Sequence, residues 1–263
     1  MGLKELKKLF WSKKVFLFDL DGTLYLGDRV LPRARALIQR IESHGKRVFY
    51  FTNNSSRSVS DYVSKLTKMG FSCRPHQVVM STHTLISELH RDGIKRIFLL
   101  GTPAMRKMLT SSGISTHEHH RAQAVVVGFD KTLTYKKLEQ AAFLIHQGLP
   151  YYVTHPDLFC PTDKGPQPDC GAMAEALSLV TGKKAKKILG KPHPLMIREV
   201  MKRVKCRKSE MIIIGDRVAT DLMLAKRAGI DGLLVLSGDS KKEELKTPHF
   251  RAFSAVSSVA DLL

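Results

Sequence analysis

No stretch of this 263-residue chain approaches the roughly 18 uninterrupted apolar residues of a membrane-spanning helix, and no charged start leads into an apolar leader. A cytoplasmic protein is therefore expected. Cysteine is scarce: Cys73, Cys160, Cys170 and Cys206 form no CxxC pair and no zinc-type spacing with histidine, so reduced thiols are expected. Internal repeats and low-complexity tracts are also missing. Acidic residues are few beside basic ones, 24 against 43, which leaves a net charge of +19. Such a field attracts nucleic acid, anionic lipid or small phosphorylated molecules, and charge alone does not choose among them. The aromatic-basic signature of an RNA-binding module is absent, which disfavours nucleic acid as the partner.

What is present is ample material for a core, 43% hydrophobic, arranged in an alternation of strand and helix patterns. The basic start places Leu3, Leu6, Leu9 and Phe10 at helical spacing, read as a terminal helix packed on its own domain in preference to one lying on a membrane. The run Val15-Phe16-Leu17-Phe18 predicts a buried parallel strand. Ala34, Leu37, Ile38 and Ile41 follow as a helical stripe stopped by Gly45, and Val48 to Phe51 give a second strand, completing a βαβ unit. Further helices carry Val59, Tyr62, Val63 and Leu66, then Leu85, Ile86 and Leu89 after a strand at 78–80.

The pattern then restarts: strands at 97–100, 125–127 and 151–153 alternate with helices from Pro103 and over 135–146. This is read as an inserted α/β domain. Its last part, 156–171, is rich in Pro, Gly and Asp and is expected to be an ordered loop, followed by a helix at 172–180. Lys183, Lys184, Lys186 and Lys187 are read as a solvated junction. A helix with Met196 to Val204, a strand at 211–214, a helix at 219–228, a strand at 233–236 and a short terminal helix close the chain. The fold class is α/β, a doubly wound parallel sheet with an insertion.

Four loops stand at strand ends or just before helices: Asp19-Leu20-Asp21-Gly22-Thr23, Thr52-Asn53-Asn54, Lys191, and Gly215-Asp216-Arg217-Val218-Ala219-Thr220-Asp221. Ligands of open parallel sheets gather at the strands' carboxyl ends. Carboxylates there can attack phosphorus, move protons and hold Mg²⁺, and a lysine balances anionic charge. His155 and Asp157 are read as turn-forming in preference to substrate contacts, and the run His117 to His120 as solvated surface.

In residue type and order these loops resemble the four motifs of haloacid dehalogenase superfamily phosphatases. FTNNSS, THPD, the GKP triplet and GDRVATD are similar to the p-nitrophenyl phosphatase and NagD-like branch, subclass IIA. The resemblance implies a Rossmann-like core over 1–91 and 185–263 and a C2-type α/β cap over 92–184. It implies Asp19 as nucleophile and metal ligand. Asp21 would be general acid then base, with its backbone carbonyl on the metal. Thr52, Asn53 and Lys191 would bind the phosphoryl group, Asp216 would complete the metal contacts, and Asp221 would orient Lys191 or a metal-bound water. Mg²⁺ is the implied cofactor, and small phosphorylated metabolites such as sugar phosphates, nucleotides or phosphoglycolate are the implied substrates, with p-nitrophenyl phosphate as an artificial one. A homodimer through the cap is compatible with this reading. The rival class is a non-catalytic nucleic-acid-binding or scaffolding protein on the same fold. A receiver domain, with its own phosphorylated aspartate, would be about half this length and would lack the cap.

Overall fold

The computed structural model describes residues 2–116, 119–162, 164–250 and 253–263. They group into two compact units. The first comprises the chain up to Thr52, Tyr62–Val79 and Lys191–Leu263, and the second Asn53–Asp61 and Met80–Gly190.

The first unit is built on a six-stranded sheet in the order Ser254–Val256, Asp231–Val235, Met211–Gly215, Val15–Asp19, Arg47–Thr52, Val78–Met80. Numbered along the sequence from the far edge this is the doubly wound order 3-2-1-4-5-6, whose switch point lies between Val15–Asp19 and Met211–Gly215. Those two strands pair in parallel with Val15 opposite Met211 and Phe18 opposite Ile214. On its other side Val15–Asp19 pairs in parallel with Arg47–Thr52, Asp19 opposite Phe51. Every residue of the central strand is buried, as expected of a sheet covered on both faces.

The covering helices follow their stripes. Ala34–Ser43 buries Ala34, Leu37, Ile38 and Ile41. On the other face Met196, Ile197, Val200, Leu224 and Ala225 pack with Leu17, Phe49, Phe51 and Ile213. Each fully buried Leu, Ile or Phe contributes about 1.5–3 kcal/mol, so these faces, not helix propensity, fix the layers. The amino-terminal helix, Leu3–Ser12, buries Leu6 and Phe10. The Phe10 ring meets Phe16 at 4.8 Å, and the Trp11 indole N–H donates to the Leu262 carbonyl at 3.1 Å. It is a packed element of its own unit.

The second unit holds a four-stranded sheet ordered Lys187–Ile188, Tyr151–Val153, Ala124–Val127, Ile97–Leu100, parallel throughout. Phe98, Leu100, Val125, Val127, Ile145 and Leu177 form its core.

Three expectations need correction. The segment 156–171 is not only loop: Phe159–Thr162 and Gly165–Pro168 form an antiparallel ribbon. Pro161 and Pro166 face each other in it, and proline, having no N–H, is tolerated in an isolated two-stranded ribbon as at a sheet edge. The helix expected at 219–228 begins with a wider, π-type turn over Val218–Leu222 and becomes α-helical only at Met223–Ala228. Lys187 is no solvated junction, for its ammonium lies 2.7 Å from Asp92 and 3.1 Å from Glu88. His117 and the side chain of His119 lie outside the described residues. The four cysteines are free, and no described helix is long and apolar enough to cross a membrane.

Candidate active site

Asp19 ends the central strand, and Asp216 directly follows the strand beside it, so the switch point itself sets both carboxylates at the carboxyl edge of the sheet. Gly22 then turns the chain out of the sheet with φ +80°, and a Cβ there would overlap the Asp216 carboxylate. From the other side Gly238 abuts the same carboxylate. The Ser237 hydroxyl donates to the Gly22 carbonyl at 2.7 Å, tying the two glycine turns together around Asp216.

Lys191 is 3% exposed, and its ammonium donates to Asp19 Oδ1 and, at 2.8 Å, to Asp221 Oδ1. The peptide between Lys191 and Pro192 is cis. Asp221 is fully buried on the wide turn, where its Oδ2 accepts from the Arg217 N–H at 3.2 Å. Gly215 leaves room for it, since a Cβ there would collide with the Asp221 side chain.

Charge in this buried set is unevenly compensated. Burial tends to lower the Lys191 pKa, but Asp19 and Asp221 outweigh it and hold the ammonium above the ordinary lysine range. Burial raises Asp221 despite Lys191 beside it. Asp216 is raised by burial and then by the neighbouring Asp19 and Asp221 carboxylates. Its Oδ2 accepts from the Asp239 N–H at 2.9 Å, whereas its Oδ1 is buried with no hydrogen-bond partner among the described residues. A buried carboxylate oxygen without a donor costs free energy unless a proton or cation meets it. Oxygens of Asp19, Asp216 and Asp221 lie within 4.8 Å of one another. All-carboxylate oxygen donors of this kind suit a small hard dication. With both Asp221 oxygens already engaged by Lys191 and Arg217, the unpartnered Asp216 Oδ1 and Asp19 are the better placed to ligate.

Asp21, two residues past Asp19, is exposed. Its carboxyl is raised, first by loss of surrounding water and then by Asp19, against the opposing charge of Lys65. Thr52 is buried next to Phe51, the register partner of Asp19, with its hydroxyl 3.4 Å from that of Tyr62. Asn53 belongs to the second unit, where its carboxamide donates to Asp157 Oδ2 at 3.1 Å and its carbonyl accepts from Ser81. His155 is fully buried there between Thr154 Oγ1 and Asp169 Oδ1, each at 2.9 Å, a holding role in the loop.

The structure thus brings together Asp19, Lys191, Asp216 and Asp221. Sequence reading missed the residues around Asp216: Gly238 and the Asp239 N–H against its carboxylate, and Ser237, which ties that turn to Gly22. A signal existed, because Ser237-Gly238 lies one residue past the carboxyl end of the strand Asp231–Val235 of the same sheet, where ligand-binding turns collect.

Fold and site define an α/β enzyme with a carboxylate-lysine centre, and known proteins refine that class. A family model described as haloacid dehalogenase-like hydrolase matches residues 16–115, and a second, HAD-hydrolase-like model matches 188–262. The acid sugar phosphatase of Staphylococcus haemolyticus is 32% identical over 236 residues, 89% of each chain. The 4-nitrophenylphosphatase of Thermotoga maritima superposes with a TM-score of 0.90 at 38% identity over 97% of each chain. NagD of E. coli K-12 gives 0.86 at 25% identity over 95% of this chain and 99% of its own. The chain belongs to the haloacid dehalogenase superfamily, in its NagD and p-nitrophenyl phosphatase branch.

Proposed function

We propose that this protein is a Mg²⁺-dependent phosphatase that hydrolyses small phosphorylated metabolites through an aspartyl-phosphate on Asp19. The observation that carries the reading is the placement of Asp19: a buried carboxylate bonded to the Lys191 ammonium at the switch point of the sheet. The names of its relatives, acid sugar phosphatase and 4-nitrophenylphosphatase, support sugar phosphates as the first substrates to try.

In the first step an Asp19 carboxylate oxygen forms a bond to phosphorus as the ester oxygen leaves, and Asp21 delivers its proton to the departing alkoxide. The raised carboxyl of Asp21 suits this acid role. In the second step water attacks the same phosphorus, Asp21 takes its proton, and the bond to Asp19 breaks to release inorganic phosphate. Lys191 holds the Asp19 oxygen before attack and offsets phosphoryl charge afterwards. Thr52 and Asn53 bind the phosphoryl oxygens, and Asp221 keeps Lys191 in place. Asp19, the Asp21 carbonyl and Asp216 would hold the metal, which when bound supplies positive charge for the transferring phosphoryl group.

The core in this reading is 1–91 with 185–263, and 92–184 serves as a cap that excludes water and selects the leaving group. A cytoplasmic location and a homodimer through the cap belong to the same proposal. The test is release of p-nitrophenol from p-nitrophenyl phosphate with Mg²⁺, with EDTA, and with Asp19→Asn. Turnover that needs both metal and Asp19 supports the reading; turnover indifferent to Asp19 overturns it.

A further inference from the structure

Besides Lys191 and its neighbours at the carboxylates, the first unit carries a group of basic residues at the opposite, amino-terminal edge of the six-stranded sheet. The register puts Arg47 level with Val15 and Met211, the Lys14 N–H donates to the Glu210 carbonyl, and the Arg47 N–H donates to the Lys14 carbonyl, each at 2.9 Å. Lys14, Arg47 and the segment 207–210 are therefore neighbours along one rim. Arg203 extends the row, since its guanidinium donates to the His76 and Val78 carbonyls at 2.9 and 2.8 Å and so binds the chain around 203–208 to the turn that follows Arg74.

Three acids of this rim are already paired with cations: Glu210 lies 2.6 Å from Lys14, Asp231 accepts from Lys13, and Glu199 lies 2.7 Å from Lys202. Glu42 accepts from the neutral Gln77 amide at 3.2 Å and offsets one of the remaining cations. Arg47, Arg74, Lys205 and Lys208 remain, all exposed and with no ion pair among the described residues. Arg47 heads its strand, Arg74 precedes the turn before Val78–Met80, and Lys205 and Lys208 precede Met211–Gly215, so the four lie before three of four adjacent strands that together span about 14 Å at the usual strand spacing. Such a cluster is a local excess of positive charge that a polyanion can neutralise.

We propose that this rim binds the phosphodiester backbone of double-stranded nucleic acid, independently of the catalytic centre. The guanidinium groups of Arg47 and Arg74 match phosphate oxygens in a planar fork, and the lysines add point charge. A single-stranded ligand would need exposed aromatic faces to stack its bases. The nearby aromatic, Trp11, is half-buried with its ring covered by Arg40 at 4.9 Å and Lys46 at 5.5 Å. The described large apolar side chain exposed beside this rim is Met201, which gives little to seat in a lipid layer. Binding here is by charge and without sequence preference.

The test is fluorescence anisotropy of a labelled 20-base-pair DNA duplex of mixed sequence, titrated with the full-length protein at several salt concentrations. Four phosphate contacts predict a log-log salt slope of about −3 to −4. The combined variant Arg47→Gln, Arg74→Gln, Lys205→Gln, Lys208→Gln should bind at least tenfold more weakly with a slope near zero, while its p-nitrophenyl phosphate turnover matches the parent and reports an intact fold. Asp19→Asn should bind DNA as the parent does. No binding at 50 mM salt, equal binding by the combined variant, or loss of binding in Asp19→Asn would each overturn the proposal. So would tighter binding to phosphatidylserine vesicles that duplex does not displace, which would assign the rim to a lipid surface.

Discussion

Gly238 lies against the carboxylate of Asp216 so closely that a methyl group on its α-carbon would overlap that carboxylate. The Asp239 N–H, one residue on, fixes Asp216 Oδ2 and leaves Oδ1 unpartnered. Gly238→Ala should therefore displace Asp216 and weaken metal binding about tenfold or more, the size usual for groups that orient ligands. The Mg²⁺-induced rise in melting temperature measures this without turnover. A variant with the parent's Mg²⁺ dependence would show that Asp216 does not need the glycine.

Lys191 is the buried counter-ion of two carboxylates. Lys191→Met should lower kcat by about 10²–10³, as loss of one preorganised charge-stabilising donor does. It should also destabilise the protein by about 3–5 kcal/mol, because Asp19 and Asp221 are left without compensation. Urea unfolding separates the two effects, and the double variant Lys191→Met, Asp221→Asn should recover part of the stability and none of the rate.

Asp21 is exposed, and its replacement should leave stability within about 0.5 kcal/mol. In the proposed mechanism Asp21→Asn removes the proton donor, and turnover should fall by about 10²–10⁴. The loss should be smaller for p-nitrophenyl phosphate than for an alkyl phosphate, because nitrophenolate leaves without protonation. Equal losses for both esters would assign Asp21 another role.

Asp92 supplies a pH dependence in the second unit. Hydrogen bonds from Lys187, then from Tyr152, hold its carboxyl below the ordinary carboxylate range. A carboxyl depressed in the folded state adds stability above its unfolded pKa of about 3.9 and loses it as pH falls through the folded value. Asp92→Asn should therefore lower the melting temperature at pH 7, and the gap from the parent should narrow below about pH 4. A gap constant down to pH 3 would refute the assignment.

The central strand and its flanking loops were legible because residue type and position coincide there. Val15 to Phe18 is uniformly apolar, and a carboxylate at its end has few structural reasons to exist. The ribbon around Pro161 and Pro166 was hidden because proline argues against strand in a local reading, and it is tolerated here because both strands of the ribbon are edges. The wide turn at Val218–Leu222 was hidden for a related reason: its helical stripe is ordinary, and the widening shows in the Leu222 N–H reaching back five residues to the Arg217 carbonyl at 3.4 Å. The partners of Lys187 and the grip of Gly238 on Asp216 join residues far apart in sequence, and no spacing rule reports such contacts.

The pairing of Asp19 with Lys191 spans 172 residues of chain. During synthesis Asp19, the proposed nucleophile, is therefore made before its counter-charge, with the inserted unit between them. A nascent chain halted before residue 191 presents Asp19 without its ammonium and without the neighbouring strand Met211–Gly215, so in the proposed mechanism such a fragment has no competent site to misuse on cellular phosphates.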